Sequence, residues 1–304
     1  MNKPTIIIFA AGVGSRLNMN VPKALIEFNG KKLIEYQLDE IRKTFPQSDV
    51  IIVGGFKFKD LRTFIVSLNL SNIYFVENEN YKSSILHTFD ISVEYAKETG
   101  ISLDTVIRLD GDVFLFDNAI EDLKSINKTT FFSTVCDKET DTVILKHDKF
   151  NNLINFEYVK GYIGDDEWGC IEYYFNGDYH KYWKDDLREL TLNLGGHYYT
   201  YLEQIIEFLK PKIVPIFNIF EIDTLADLEK VKNLNRKRHY NEKKVSYEIG
   251  KLLKPVSDAY LDFIKDLTHD EADLIAFKIL DKIHTDLSFC KLQEGMRRNK
   301  LKCT

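Results

Sequence analysis

The chain has 304 residues and a formal net charge of −6, and its hydrophobic and aromatic fractions of 44% and 13% suffice for a large packed core. No apolar run of about 18 residues is present, and only a short apolar segment follows Lys3 and Pro4, so we expect no membrane insertion, no signal peptide and a cytoplasmic location. The acidic excess lies in residues 1–235, which disfavours a nucleic-acid partner, and the four widely spaced cysteines favour free thiols over zinc ligands or disulfides.

Short apolar runs alternate with amphipathic stretches through the first half of the chain. Runs at residues 5–9, 49–53, 72–76 and 105–109 predict strands, and helical spacing of apolar residues is clearest at 33–41, 61–68 and 85–96. This alternation predicts a doubly wound α/β fold, in which a mostly parallel central sheet has helices on both faces. Ligands of such sheets bind beyond the carboxyl ends of the strands.

The pattern changes in the second half of the chain. Between residue 131 and about residue 220 it consists of short, aromatic, β-type segments separated by Gly and Asp. A polar, charged stretch then leads to helical patterns and a basic terminus. We therefore expect one domain over residues 1–235 and a helical C-terminal extension over residues 236–304.

The first apolar run leads into a glycine-rich turn with the sequence Phe9-Ala10-Ala11-Gly12-Val13-Gly14-Ser15-Arg16-Leu17, and Pro22-Lys23 follows. Such a turn lets backbone N–H groups approach an anion, and the Arg and Lys can neutralise a triphosphate. A Walker A loop and a dinucleotide fingerprint are excluded, because Ser15-Arg16-Leu17 follows Gly14. The turn predicts these nucleotide-binding residues: Ala10, Ala11, Gly12, Gly14, Ser15, Arg16 and Lys23.

Three motifs together carry a resemblance to a known family. They are the turn with Pro22-Lys23, the segment Val106-Ile107-Arg108-Leu109-Asp110-Gly111-Asp112, and the segment Glu221-Ile222-Asp223-Thr224-Leu225-Ala226-Asp227-Leu228. They resemble motifs of the nucleotidyltransferases with a glycosyltransferase-A-like, Rossmann-related fold, and the last is similar to the closing element of bacterial CTP:phosphocholine cytidylyltransferases. The resemblance implies that a nucleoside triphosphate is joined to a phosphorylated metabolite with release of pyrophosphate.

The resemblance also implies roles for individual residues. Lys23 would hold the two reacting phosphates together, and Arg16 would hold the β- and γ-phosphates. Asp112 and Asp223 would ligate Mg²⁺, so these four residues are the catalytic candidates. Asp110 would contact the ribose or lie behind the metal ligands, and a turn-forming acid beside Gly111 is an equal alternative.

The residues around the base and the second substrate are less well defined. Ser83 and Ser84 stand where related cytidylyltransferases carry paired Asn, so they would cradle the nucleotide, with a helix N-cap as the alternative. The β-rich segments would form the acceptor side. There, acids near Trp168 and several tyrosines suggest a cage for a quaternary ammonium, although half-buried core packing is the stronger interpretation. The acceptor candidates are Tyr173, Tyr199 and Glu203.

The resulting functional hypothesis is a Mg²⁺-dependent cytidylyltransferase. It would transfer CMP from CTP to a small phosphocholine-like, 2-aminoethylphosphonate-like or phosphoamide head group, for decoration of a surface polysaccharide or lipid such as capsule or lipopolysaccharide. One alternative is a sugar-1-phosphate nucleotidylyltransferase that uses UTP, GTP or dTTP. A second alternative is a non-catalytic nucleotide-sensing or assembly subunit, which the presence of all four catalytic candidates disfavours. The helical extension would mediate a homodimer or dock a downstream transferase.

Overall fold

The computed structural model describes residues 3–17, 19–82, 84–137, 141–160, 163–193 and 198–234, with residues 236, 243, 244 and 247. Ser83 and almost all of the expected C-terminal extension therefore lie outside the described residues. No helix in the described ranges is long and apolar enough to cross a membrane.

A parallel sheet forms the first half of the protein. Its four strands run in the order β6-β1-β4-β5. They are β1 (Thr5–Ala10), β4 (Val50–Gly54), β5 (Ile73–Glu77) and β6 (Val106–Asp110). Ile6, Ile7 and Ile8 are all 0% exposed, so β1 is buried on both faces, as expected of a central parallel strand. Each of the four predicted strands is confirmed to within one residue.

The second half adds antiparallel strands to the same sheet. Strand β11 pairs antiparallel with β6 and with β8, and β9 and β10 continue the sheet beyond β11. These strands are β8 (Thr130–Asp137), β9 (Asp141–His147), β10 (Leu153–Lys160), β11 (Ile163–Tyr174) and β12 (Lys212–Pro215), which is parallel to β8. The β-rich interpretation is thus confirmed as far as Tyr174, but it was wrong for the following part of the region, where Asp185–Asn193 and Tyr198–Leu209 form helices.

Two short antiparallel strand pairs lie outside the large sheet. They are β2 (Glu27–Phe28) with β3 (Lys31–Lys32), and β7 (Val113–Leu115) with β13 (Ile219–Glu221). The second pair joins two segments that are far apart in sequence, because Glu221 is in register with Val113.

Helices cover both faces of the sheet. They are α1 (Leu33–Thr44), α2 (Phe58–Ser67), α3 (Ile85–Thr99), α4 (Asp185–Asn193), α5 (Tyr198–Leu209) and α6 (Leu225–Lys232). The buried faces of α1 and α2 pack in one apolar cluster with Ile6 and Ile8, whereas those of α3 and α5 pack in another with Ile7 and Phe9. Alternate residues of β1 therefore face opposite helical layers. The predicted fold class, with a mostly parallel sheet and helices on both faces, is confirmed.

The carboxyl ends of β1 and β6 are held together at one edge of the sheet. The Gly111 amide donates to the Phe9 carbonyl over 2.9 Å. A Cβ atom at Gly111 would lie 2.9 Å from both Cα and Cβ of Ala10, so only glycine fits this approach. The glycine-rich turn after β1 and the acids at the end of β6 consequently meet.

Candidate active site

The glycine-rich turn makes room for the lysine that follows it. Gly14 has φ of +66°, and a Cβ atom there would lie 2.7 Å from Cγ of Lys23. Glycine is therefore required at this position both for its backbone conformation and for the passage of the Lys23 side chain. Gly12 is different, because nothing lies within 4 Å of the Cβ position, and its backbone faces open space.

A first cavity of about 220 Å³ opens beside Gly12. Its walls come from the turn, from the end of β6 and from the segment that leads into α3. They are Phe9, Ala10, Ala11, Gly12, Lys23, Ala24, Tyr81, Ile85, Thr88, Asp110, Gly111 and Asp112. Five of the predicted nucleotide-binding residues thus line one space, namely Ala10, Ala11, Gly12, Lys23 and Asp110. Gly14 and Ser84 do not line it, and Arg16 lies on a neighbouring cavity. Ser84 is the N-cap of α3, where its hydroxyl accepts from the Leu86 amide over 3.0 Å.

Three carboxylates converge next to this cavity. Asp112, Glu221 and Asp223 each offer one oxygen, and these oxygens all lie within 4.8 Å of one another. Sequence reasoning selected Asp112 and Asp223 but missed Glu221. A signal for Glu221 was present, because residues two apart in an extended segment point to the same side, and Glu221 precedes Asp223 by two.

Two cations contact the carboxylates. The Lys23 ammonium lies 2.8 Å from Oδ2 of Asp112 and 2.7 Å from Oδ1 of Asp223, and Nη2 of Arg16 lies 3.0 Å from the same Asp223 oxygen. Burial alone would lower the pKa of Lys23, but the charges and hydrogen bonds of Asp112 and Asp223 outweigh it and raise that pKa. Lys23 is therefore a firmly charged group between two acids that the sequence predicted as metal ligands.

The carboxylate cluster fits a divalent metal ion. Oδ1 of Asp112 is buried and has no hydrogen-bond partner among the described residues, so one ligand oxygen is available. Carboxylate oxygens are the donors that hard cations such as Mg²⁺ take up in nucleotide sites. Asp112, Glu221 and Asp223 are the residues that would hold such an ion.

The backbone around Asp223 is fixed by the start of α6. Asp227 Oδ2 accepts hydrogen bonds from the amides of Asp223 and Thr224 over 3.2 and 2.9 Å, and the Thr224 hydroxyl accepts from the Asp227 amide. Asp227 is thus an acid in the first turn of α6 and forms a capping box with Thr224. In addition, the Ile222 amide donates to the Asp112 carbonyl over 3.0 Å, which ties the two acid-bearing segments together.

A buried ion cluster lies behind the first cavity. Arg108 is 1% exposed and donates to Glu172 Oε1 over 2.8 Å and to Asp110 Oδ1 over 2.5 Å. Burial raises the pKa of Glu172 to about 7, although the Arg108 charge opposes the rise, and burial likewise raises the pKa of Asp110. Sequence reasoning missed Arg108 and Glu172, and the signal was a charged residue inside an otherwise apolar strand run.

The aromatic residues near Trp168 surround this internal cation. The Arg108 guanidinium lies 5.4 Å from the Trp168 ring centroid and 5.1 Å from that of Tyr198. Tyr174 and Tyr198 are buried, and both hydroxyls donate to Glu172 Oε2. These two tyrosines are core residues, and the positive charge near the Trp168 and Tyr198 rings belongs to the protein itself.

None of the three predicted acceptor residues lines the first cavity or its neighbour. Tyr173 is in register with Ile107 and lines a groove with Lys3 and Thr105, which precede β1 and β6, so it lies at the opposite edge of the sheet from the carboxylates. Tyr199 is half-buried against the core, and Glu203 is exposed on α5.

A second cavity, of about 360 Å³, lies on the other side of the carboxylates. Arg16, Glu221 and Asp223 form its charged wall. The remaining lining residues are Thr142, Val143, Tyr158, Trp168 and Cys170. The carboxylate cluster thus separates two spaces, with Asp112 and Lys23 on the first and Glu221 and Asp223 on the second.

Comparison with known proteins finds similarity in the N-terminal part of the chain. Residues 6–120 match the model of the MobA-like NTP transferase domain. The chain is 26% identical over 135 residues to the CTP:phosphoglutamine cytidylyltransferase of Campylobacter jejuni and 30% identical over 132 residues to the choline-phosphate cytidylyltransferase of Streptococcus pneumoniae. These alignments cover 43% and 42% of this chain and 52% of each relative, so the chain spans about half the length of the curated relatives it matches.

The fold extends the match beyond this segment. A solved structure of the CTP:phosphocholine cytidylyltransferase from Streptococcus pneumoniae superposes with a TM-score of 0.62 at 20% identity, over 76% of this chain and 99% of that one. Because the superposition covers 76% of this chain, it extends beyond residues 6–120, and it shows a shared fold. The resemblance drawn from the sequence is confirmed by these comparisons, in which residues 6–120 match the MobA-like NTP transferase domain and the solved structure shares the fold.

Proposed function

We propose that this protein is a Mg²⁺-dependent cytidylyltransferase that transfers CMP from CTP to a small phosphorylated or phosphonate head group and releases pyrophosphate. The observation that carries the proposal is the position of Lys23, whose ammonium contacts Asp112 at the first cavity and Asp223 at the second. A cation at the boundary between two cavities is suited to the meeting point of two anionic substrates.

The first cavity is proposed to take the nucleotide. Gly12 presents backbone without a side chain to this space, so an α-phosphate can approach the turn closely. Asp110 lines the same cavity and is oriented by Arg108, which supports the hypothesis of a ribose contact. Arg16, 56% exposed beside Asp223, is free to reach a departing pyrophosphate because its side chain is long and largely in solvent.

The second cavity is proposed to take the acceptor. Lys23, which contacts Asp223 at the wall of this cavity, can pair with the acceptor phosphate or phosphonate, and Trp168 and Tyr158 supply apolar surface for the remainder of the head group. The acceptor oxygen is already an anion, so attack on the α-phosphorus needs no general base. The oxygen forms its bond to phosphorus as the bond to pyrophosphate breaks, and the electron pair leaves with pyrophosphate.

Catalysis then consists mainly of positioning and charge neutralisation. Lys23 would hold the acceptor phosphate and the α-phosphate together, and its raised pKa keeps it charged at any pH at which the enzyme works. A Mg²⁺ ion held by Asp112, Glu221 and Asp223 would supply further positive charge where the phosphates meet. Pre-arranged cations of this kind stabilise the transition state because they need no reorganisation during the reaction.

The choice of CTP is supported by the two cytidylyltransferase relatives, which act on different acceptors according to their names. A sugar-1-phosphate nucleotidylyltransferase that uses UTP, GTP or dTTP is the alternative within the class. The CMP-activated product would serve decoration of a surface polysaccharide or lipid, and this role and a cytoplasmic location stay predictions.

The test is pyrophosphate release with Mg²⁺ across two sets of substrates. CTP, UTP, GTP, ATP and dTTP are each combined with phosphocholine, 2-aminoethylphosphonate, a phosphoamide and several sugar 1-phosphates. Activity confined to CTP and a non-sugar head group is the expected result. Asp112→Asn should abolish this activity. Asp122→Asn removes an exposed acid nearby in the sequence and should leave the activity unchanged.

Two results would replace the proposal. Turnover of a sugar 1-phosphate with another nucleotide would establish the alternative enzyme. CTP binding by calorimetry without turnover of any acceptor would instead favour the non-catalytic nucleotide-sensing subunit.

A further inference from the structure

Gln37 is a buried polar residue whose role the sequence did not reveal. It lies on α1 and is 0% exposed, and its neighbours on the same face, Ile34, Leu38 and Ile41, are apolar core residues. A buried amide must find hydrogen-bond partners, because an unpaired polar group is costly to bury. The hydrogen-bond partners of the Gln37 side-chain nitrogen lie in the candidate active site.

Both N–H groups of the Gln37 amide are donated to one loop. Nε2 lies 2.7 Å from the carbonyl oxygen of Asp110 and 2.7 Å from that of Val113. These two carbonyls flank the pair Gly111-Asp112, which connects β6 to β7. A single side-chain nitrogen therefore ties together both ends of the segment that carries Asp112.

The same contact reaches the second acid-bearing segment. Val113 is in register with Glu221 across the β7–β13 pair, and the Asp112 carbonyl accepts from the Ile222 amide. A shift of Val113 would consequently move Asp112 directly and Glu221 through the strand pairing. From the other side, Gly111 is already fixed against Phe9.

We propose that Gln37 is a positioning residue for the metal-ligating carboxylates, acting through the backbone of Asp110 and Val113. The inference rests on the proposed function in one respect, namely that Asp112 and Glu221 bind a divalent cation. Groups that hold metal ligands in place commonly contribute a factor of 10–100 to metal affinity. Gln37 belongs to this class even though it lies inside a helix and touches neither substrate cavity.

The test measures metal binding without turnover. Mn²⁺ affinity is determined from the free-ion EPR signal, with neither nucleotide nor acceptor present, for the wild type and for Gln37→Met. Methionine keeps the length and the apolar stem but cannot donate, so we expect Mn²⁺ affinity to fall about 10- to 100-fold. If Gln37→Met fails to fold, Gln37→Asn gives the same readout, because its shorter stem cannot reach both carbonyls.

Ile41→Ala is the matched control. Ile41 is equally buried on α1 and its loss destabilises the core, but its side chain donates no hydrogen bond, so Mn²⁺ affinity should stay within about twofold of the wild type. Wild-type affinity in Gln37→Met, or an equal loss in Ile41→Ala, would overturn the positioning role alone. If Asp112→Asn binds Mn²⁺ as tightly as the wild type does, the metal assignment is overturned, and the positioning role is overturned with it.

Discussion

The buried carboxyl of Glu172 should make the stability of the fold depend on pH. It is 0% exposed, and burial raises its pKa from the ordinary 4.5 to about 7. The folded protein therefore binds more protons than the unfolded chain between these two values, so the free energy of unfolding decreases as pH rises through this window. The contribution is fully present below pH 4.5 and is lost above pH 7.

The size of the effect follows from the two proton affinities. A rise from 4.5 to about 7 corresponds to about 3 kcal/mol, most of which is lost between pH 5 and pH 8. The half-buried His180 contributes with the opposite sign, because burial lowers the pKa of its imidazole and the folded state then binds fewer protons.

A matched variant separates the two groups. Glu172→Gln mimics the protonated carboxyl, keeps a partner for Arg108, and leaves His180 unchanged. Urea unfolding at several pH values should show the wild type losing about 2–3 kcal/mol relative to Glu172→Gln between pH 5 and pH 8. Parallel stability profiles for the two proteins would refute the reasoning, since they would mean that Glu172 is ionised throughout and that Arg108 fully offsets its burial.

Four further expectations concern variants of the site and of its glycines. Lys23→Ala should reduce the rate of pyrophosphate release about 10²- to 10³-fold with a smaller change in KM for CTP, and a change in KM alone would demote Lys23 to a binding residue. Asp223→Asn should abolish turnover at fixed Mg²⁺ while circular dichroism stays unchanged, and near-full activity would exclude it as a ligand. Gly111→Ala should destabilise the fold by about 1–3 kcal/mol in urea unfolding, because its Cβ would meet Ala10. Gly12→Ala should leave stability within about 0.5 kcal/mol but weaken CTP binding measured by calorimetry, and equal effects of the two glycine variants on both properties would contradict this distinction.

The elements of the parallel sheet were predictable because their signals are local. The run at residues 5–9 is apolar at every position after Thr5, which is typical of a strand buried on both faces, and β1 is found at Thr5–Ala10. The proximity of the glycine-rich turn to Asp112 was also predictable, because the carboxyl ends of parallel strands lie at the same edge of a sheet. Local motifs were therefore sufficient to predict that Lys23 and Asp112 lie close to the glycine-rich turn, where they line the cavity beside Gly12.

The residues that were missed depend on contacts between distant parts of the chain. Gln37 reaches carbonyls 73 and 76 positions away, and Arg108 pairs with Glu172 across 64 positions. Tyr173 was placed at the wrong edge because strand direction cannot be read from a short aromatic run. Its strand is antiparallel to β6, so Tyr173 lies beside Ile107, away from the carboxyl end of β6.

The charges of the site explain why the cations and the acids have to be considered together. Asp112, Glu221 and Asp223 would repel one another at their observed separation, and Lys23 and Arg16 bring their combined charge close to neutral. A triphosphate and an acceptor phosphate add several negative charges, which the two cations cannot balance while they also neutralise the acids. A divalent cation bound to the carboxylates would remove that conflict. It would neutralise the acids, so Lys23 and Arg16 could bind the phosphates. The arrangement thus favours metal and nucleotide binding together over either one alone.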